Sequence, residues 1–390
     1  MKITQIDAIV LDTSSDRRPI LARVTTDTGV YGYGEASVGF CAGAPAAQAM
    51  ILEMGKYVLG MNPLHHEKIW STMYDNSFWA CGGGVICYAA MSAIDMALWD
   101  IKGKTYGVPL YELLGGKCRD KLRCYASQLQ HGWREDDFVD LGKTEDYVEV
   151  AKRVVDDGYN ALKYNFLVYD RDGKWTGILN GPQEHWVIEM IEERVAAVRE
   201  AVGKDVDILL ENHSYSDFVS AEQIARAVEK YNIFFMEEAG TPMNVEALSE
   251  LQKRISIPLA GGERVYGKYD FNRYFKAGAM RVAQPDLGTC GGITEGKKIC
   301  DLASAYDISV QTHVCGSPIA TTASLHMEAA IPNFVIREWH VQNRFPSFKL
   351  FQKYDYSPVN GYCPVPELPG IGQELSDYAL AHCDAKTIRL

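Results

Sequence analysis

The chain has 390 residues, 47% hydrophobic and 23% charged, with a formal net charge of −12. That composition excludes a disordered or fibrous protein. The acidic balance argues against a nucleic-acid or anionic-membrane surface, since both need clustered Lys and Arg. No apolar run reaches the roughly 18 residues of a membrane span.

The opening stretch, MKITQIDAIV, alternates like a first strand and lacks the pattern of a secretion signal. The ten cysteines include no CxxC pair, which predicts reduced thiols and a cytoplasmic protein. Residues 1 to about 35 read as antiparallel strands that turn at Thr28-Gly29. Three helical segments follow. The longest, CYAAMSAIDMALWDIKGK, is apolar or small on most faces and should be well buried.

From about residue 120, short apolar strands alternate with amphipathic helices. The strands are LRCYAS, NALKYNF, VDILLEN, IFFMEE, IPLAGGE, MRVAQPD, ISVQTHV and FVIREW. Strand–helix alternation implies right-handed βαβ units, and eight strands imply a closed barrel. The expected fold is α/β: a modified (β/α) TIM barrel over 118–355 with an N-terminal α+β capping domain over 1–117. A Pro- and Gly-rich segment, 356–390, should pack back on the cap.

A parallel barrel delivers the C-terminal ends of its strands to one rim. There the sequence places Lys163, Glu211, Glu237, Glu263, Asp286, His313 and Glu338, one per successive unit. Glu237 follows Glu211 by 26 residues, and Glu263 follows Glu237 by 26. Three carboxylates on one side of a rim repel unless a cation lies among them; at ~4 Å each pair costs about 4 kcal/mol at an effective dielectric of 20. All-oxygen ligation suits a hard divalent ion, Mg²⁺ above all. Asp286 would orient His313 and raise its basicity. His213 arrives from the third strand, nearly across the mouth, so two imidazoles can divide the work of base and acid. Lys163 would put positive charge near a substrate carboxylate.

The motifs FFMEEAGTP, LAGGERVYGKYDF, QPDLGTCGGITE, VQTHVCGSPIATTASLH and REWH, in that order, resemble the mandelate-racemase-like branch of the enolase superfamily. The resemblance covers nearly the whole chain. It implies that Glu211, Glu237 and Glu263 bind Mg²⁺ and that His313 with Asp286 forms a dyad. It also implies that Glu338 hydrogen-bonds a developing enediolate and that Lys163 lies beside the metal-bound carboxylate. The chemistry it implies is removal of a proton α to a carboxylate; a His or Lys base with Mg²⁺ is a recognised arrangement in that superfamily.

Racemases of this branch carry KxK after the second strand, whereas here the triplet is Lys163-Tyr164-Asn165. Asn165 cannot act as a base, so racemisation is disfavoured, and His213 offers an acid for a leaving hydroxyl. This pattern is most similar to the galactonate-dehydratase type of sugar acid dehydratase. Two positions depart from it: Glu211 stands where Asp is usual, and Ala239 where proline commonly follows the paired glutamates.

The expected reaction is loss of water from an aldonate-like acid sugar to give a 2-keto-3-deoxy acid. Asn165 would meet a substrate hydroxyl, and Tyr164 and Trp79 could line the pocket or, equally, pack in the core. Arg17 or Arg18, in the cap stretch 12–20, could meet the substrate's far end, solvated surface being the other reading for each; 38–44 is a second stretch expected to close over the rim. His340 and Glu238 would orient ligands. The alternatives are a cycloisomerase or lactonising enzyme of the same superfamily, and a non-catalytic sugar-acid-binding homologue. A barrel metallohydrolase is disfavoured by the lack of an HxH strand. A small-molecule substrate, no nucleic acid, no membrane and a homo-oligomer complete the expectation.

Overall fold

The structure, a computed structural model, describes residues 1–13, 17–40 and 42–390. Parts of both cap stretches expected over the rim, 14–16 and 41, therefore lie outside the described residues.

The chain opens with β1 (Ile3–Leu11), β2 (Ile20–Thr26) and β3 (Tyr31–Ala36), followed by the helices α1 (Ala44–Lys56), α2 (His66–Asn76) and α3 (Val85–Tyr106). The hairpin turns at Thr28-Gly29 as expected, with Gly29 at φ 81°. The apolar helix α3 buries fourteen of its 22 residues. It lies so close on β3 that a Cβ on Gly34 would fall 2.1 Å from the Ala93 carbonyl, and one on Gly32 2.2 Å from that of Ala97. Neither backbone can retreat from a packed core. Gly34→Ala is therefore expected to lower stability by at least about 1–3 kcal/mol, the usual cost of overpacking, read as a lower urea midpoint.

All eight expected barrel strands are present: β4 (Lys121–Ser127), β5 (Ala161–Tyr164), β6 (Asp207–Glu211), β7 (Ile233–Glu237), β8 (Leu259–Gly261), β9 (Val282–Ala283), β10 (Ser309–Val310) and β11 (Arg337–His340). Their pairings are parallel, in the order β10-β9-β8-β7-β6-β5-β4-β11. The curled edges meet where Val310 bridges Phe334, with Val310 N donating to Asn333 O at 2.8 Å and Val335 N to Val310 O at 3.0 Å.

Three rim residues differ from expectation. Glu263, Asp286 and His313 stand two or three residues past the ladders of β8, β9 and β10. Gly262 at φ 140° turns the chain after β8, and Pro285, which has no N–H, follows β9.

One layer of side chains fills the barrel: Tyr125, Ala161, Leu209, Phe235, Ala260, Val282 and Ile336. Strand side chains alternate with period two. Two residues further along each strand, the next inward positions are therefore Ser127, Lys163, Glu211, Glu237, Gly262, Gln284 and Glu338. The polar rim is the layer above the apolar one.

The tail divides. β13 (Cys383–Arg389) joins the N-terminal sheet beside β1, but β12 (Tyr362–Pro364) pairs antiparallel with β4 of the barrel. Cap and barrel are locked by buried carboxylates at helix starts. Glu35 accepts from Ser317 N (2.8 Å) and Ala320 N (3.1 Å) at the head of helix Pro318–Ala330. Asp95 accepts from Thr294 N (2.9 Å) in helix Gly292–Ser304, and burial pushes its carboxyl up to about 7.

Among the described residues no helix is long and apolar enough to cross a membrane. Nine described cysteines are free thiols.

Candidate active site

A cavity of about 410 Å³ lies over the barrel mouth, lined by Glu211, His213, Glu263, Asp286, His313 and Glu338, with Val85 and Ile86 of the cap above. The structure thus brings seven of the sequence-selected residues to one space, these six and His340.

His313 Nδ1 is 2.8 Å from Asp286 Oδ2. The other Asp286 oxygen accepts from Gly288 N at 2.7 Å, so the carboxylate is fixed before it fixes the imidazole. His313 Nε2 faces the cavity, 3.2 Å from Glu263 Oε2. Burial alone would lower the imidazole, but the Glu263 charge, the Asp286 hydrogen bond and the Glu338 charge together hold it well above the usual histidine range.

Lys163 Nζ contacts Glu237 Oε1 (2.6 Å), Glu211 Oε2 (2.8 Å) and Glu338 Oε1 (3.1 Å). Burial opposes its charge and the three carboxylates more than restore it, raising it well above the ordinary lysine value. Lys163 is only 1% exposed, so its amine meets the rim glutamates rather than open cavity. Glu338 also accepts from Ser127 Oγ (2.6 Å) and Val314 N (3.1 Å). Against the cost of burial, Lys163, His313 and these donors keep it ionised, below the usual carboxylate range.

His213 reaches the same cavity from the loop after β6, at φ 49°, and the next residue, Ser214, is at φ 55°. Such values are uncommon for non-glycine residues. Ser214 N donates to Glu238 O (2.7 Å) and holds the bend. His213 Nε2 is 3.7 Å from Glu211 Oε2, and burial lowers the imidazole.

The residues present fit a hard divalent cation in donor chemistry. Glu211, Glu237 and Glu263 are all displaced upward, with burial the largest cause and a neighbouring carboxylate adding to it in each case; Glu237 reaches about 7. Glu211 Oε2 makes no hydrogen bond although buried; its 2.8 Å approach to Lys163 lacks hydrogen-bond geometry. The three do not form a ready-made cage. Glu211 and Glu237 close on Lys163 while Glu263 closes on His313, and among the described residues no group of three His, Cys, Asp or Glu side chains is poised as a metal site.

Several expected substrate contacts lie elsewhere. Tyr164 is fully buried on the outer side of β5, donating its hydroxyl to Tyr147 O at 2.9 Å and stacking on Phe166. It is a core residue and not a pocket wall, because strand alternation turns it away from Lys163. Trp79 is 79% exposed, edge-on to Phe78, on the cap surface rather than in the cavity lining. Asn165 is buried and faces His213.

Arg17, for which solvated surface was an open reading, is instead buried. Its guanidinium donates to Gln342 Oε1 (2.6 Å), lies 3.4 Å from His340 Nδ1 and lines a second chamber of about 450 Å³. Arg18 is exposed. His340 borders both chambers; burial and Arg17 hold it well below the usual histidine range. Glu238 binds Arg264 at 2.5 Å instead of facing substrate.

Gln128, Cys315 and Gln284 were missed from sequence. Gln128 and Cys315 line both chambers, and Gln284 donates to Glu237 Oε2 at 2.8 Å. For Gln284 the alternation from Val282 was the available signal.

Residues 6–115 match the mandelate racemase / muconate lactonizing enzyme N-terminal domain, and 146–379 match the enolase C-terminal domain-like family. The chain belongs to the mandelate racemase subgroup of the enolase superfamily. A D-galactonate dehydratase from Ralstonia nicotianae is 31% identical over 382 residues, covering 97% of this chain and 93% of that protein. A solved enolase superfamily member from Salmonella Typhimurium superposes with a TM-score of 0.98 at 45% identity over the full length of both chains. The 3,6-anhydro-D-galactonate cycloisomerase from Zobellia galactanivorans superposes at 0.83 with 29% identity, over 98% of this chain and 100% of that one. Superfamily membership and its dehydratase relatives make this chain an enzyme of the hydro-lyase kind.

Proposed function

We propose that this hydro-lyase removes water from an aldonate-like acid sugar, such as galactonate, giving a 2-keto-3-deoxy acid. The observation that carries the reading is a pair of imidazoles from different βα units opening on one cavity with unequal partners: His313 has Asp286 at 2.8 Å from Nδ1, whereas the carboxylate beside His213, Glu211, stands 3.7 Å from Nε2.

Neutral His313 takes the proton from carbon 2 at Nε2, because Nδ1 is engaged by Asp286; with Glu263 committed to a cation, its charge would no longer hold the ring protonated. The resulting enediolate meets Glu338, which donates to it in its protonated form; the substrate's negative charge favours that form over the carboxylate otherwise held by Ser127, Val314 and Lys163. His213 gives a proton to the 3-hydroxyl as the carbon–oxygen bond breaks and water leaves. The enol then tautomerises to the keto acid. Glu211, Glu237 and Glu263 would hold Mg²⁺, which supplies charge stabilisation for the enediolate when bound. Val85 and Ile86 over the mouth exclude water from the reacting carbon. The buried Arg17 and its chamber would receive the far end of the acid.

The likeness to the cycloisomerase supports a second reading, in which the same enediolate step is followed by rearrangement without net loss of water. The test is a stereochemically complete acid-sugar library with Mg²⁺, followed by mass spectrometry. The dehydratase reading expects a 2-keto product lighter than its substrate by one water. A product of unchanged mass selects the cycloisomerase, and no turnover of any acid sugar removes both.

A further inference from the structure

Alternation returns Asn165 to the inside of the barrel two residues after Lys163, yet its side chain is 0% exposed. It is part of a closed ring of amides. Asn165 N donates to Gln130 Oε1 (3.3 Å), and Gln130 Nε2 donates to Gln128 Oε1 (2.8 Å). Gln128 Nε2 lies 3.5 Å from His213 Nε2, while Asn165 Nδ2 lies 3.4 Å from His213 Nδ1. Both imidazole nitrogens are thus met by side-chain amides, one buried and one at the chamber wall. A substrate hydroxyl can displace Gln128, which lines the chamber; it cannot displace the fully buried Asn165.

The backbone at His213 is held by Ser214 N to Glu238 O (2.7 Å) and His213 N to Glu211 Oε1 (3.2 Å), which fix where the side chain starts but not how its ring is turned. His213 and Ser214 both sit in the left-handed region, a conformation that persists only when its surroundings impose it. An amide suits the task. It can offer its NH₂ to a bare Nδ1 in the resting neutral ring or, turned over, its oxygen to the Nδ1–H that the imidazolium carries and keeps after Nε2 gives up its proton. Turning over gives up only the long 3.3 Å contact from Leu167 N to Asn165 Oδ1.

We propose that Asn165 is a positioning residue for the acid step, holding His213 by Nδ1 so that Nε2 faces the departing 3-hydroxyl. This rests on the dehydratase reading above. The proton passes from Nε2 to that hydroxyl, the carbon 3–oxygen bond breaks, and the pair of electrons left from carbon 2 forms the enol.

The test compares hydrogen exchange at carbon 2 with water loss in Asn165→Leu and Asn165→Asp. In Asn165→Leu, exchange should stay within about threefold of the parent while water loss falls about 100-fold, the scale of one general acid; Asn165→Asp, which still accepts at Nδ1, should recover part of the loss. If both rates fall together, Asn165 only supports the fold; if KM alone rises, it contacts substrate. Either result overturns the proposal.

Nitrogen NMR of the His213 ring is the independent arm and needs no substrate. Asn165→Leu should shift the Nδ1 resonance, and Gln130→Leu, which cuts the ring of amides at another point, serves if Asn165→Leu does not fold. A ring spectrum unmoved by the substitution overturns the clamp. A shifted resonance in a protein that turns over no acid sugar removes the dehydratase reading and leaves the clamp standing.

Discussion

His313→Asn is expected to abolish both hydrogen exchange at carbon 2 and water loss, whereas His213→Asn abolishes water loss and leaves exchange. The asymmetry follows from the partners. His313 has a carboxylate 2.8 Å from Nδ1, which favours proton uptake at Nε2. His213 has amides at both nitrogens and is lowered by burial, which makes its imidazolium the better proton donor. Each loss should amount to about 10²–10⁴-fold, the range of a positioned acid or base. Deuterium incorporation read by NMR separates the two steps. Exchange surviving in His313→Asn but not in His213→Asn would exchange their roles.

Arg337→Met is expected to lower stability by about 3–5 kcal/mol without touching a reacting atom, because it strands a buried carboxylate. Arg337 and Glu328 are each 0% exposed, with Nη1 to Oε1 at 3.2 Å, and Thr312 Oγ donates to the same oxygen at 2.5 Å. Thr312 and Arg337 immediately precede His313 and Glu338, so this ion pair lies on the outer side of the two strands whose inner side carries the chemistry.

Burial already pushes Glu328 up to about 7 with Arg337 present, and without it the carboxyl must rise further. A folded-state value above the unfolded 4.5 means the folded protein binds more protons across that interval, so the variant should regain stability as pH falls from about 8 to about 6. Urea unfolding at both pH values checks the slope. A loss independent of pH, or one no deeper than Arg337→Met combined with Glu328→Gln, would contradict the account.

The sequence carried the barrel because its strands are short apolar runs ending in a polar residue, and VDILLEN shows how far that pattern goes. Leu209 faces inward, so Glu211 does too, while Ile208 and Leu210 face the helices. The same alternation, applied to NALKYNF, would have placed Tyr164 outside and Asn165 inside. Arg17 could not be placed from sequence, since its burial depends on Gln342 and His340, more than 300 residues away, closing over it. Cys315 and Gln128 belong to loops whose course no periodicity predicts. The tail's split between the N-terminal sheet and β4 is likewise a matter of long-range pairing.

Calorimetric titration of Mg²⁺ into the metal-stripped protein, run beside Glu237→Gln, tests whether the three glutamates share one divalent ion. One ion per chain is predicted for the parent, and binding weaker by about 100-fold or more for the variant, since even an outer partner of a metal ligand is worth 10–100-fold. No binding by the parent, or equal affinity in both proteins, would contradict it.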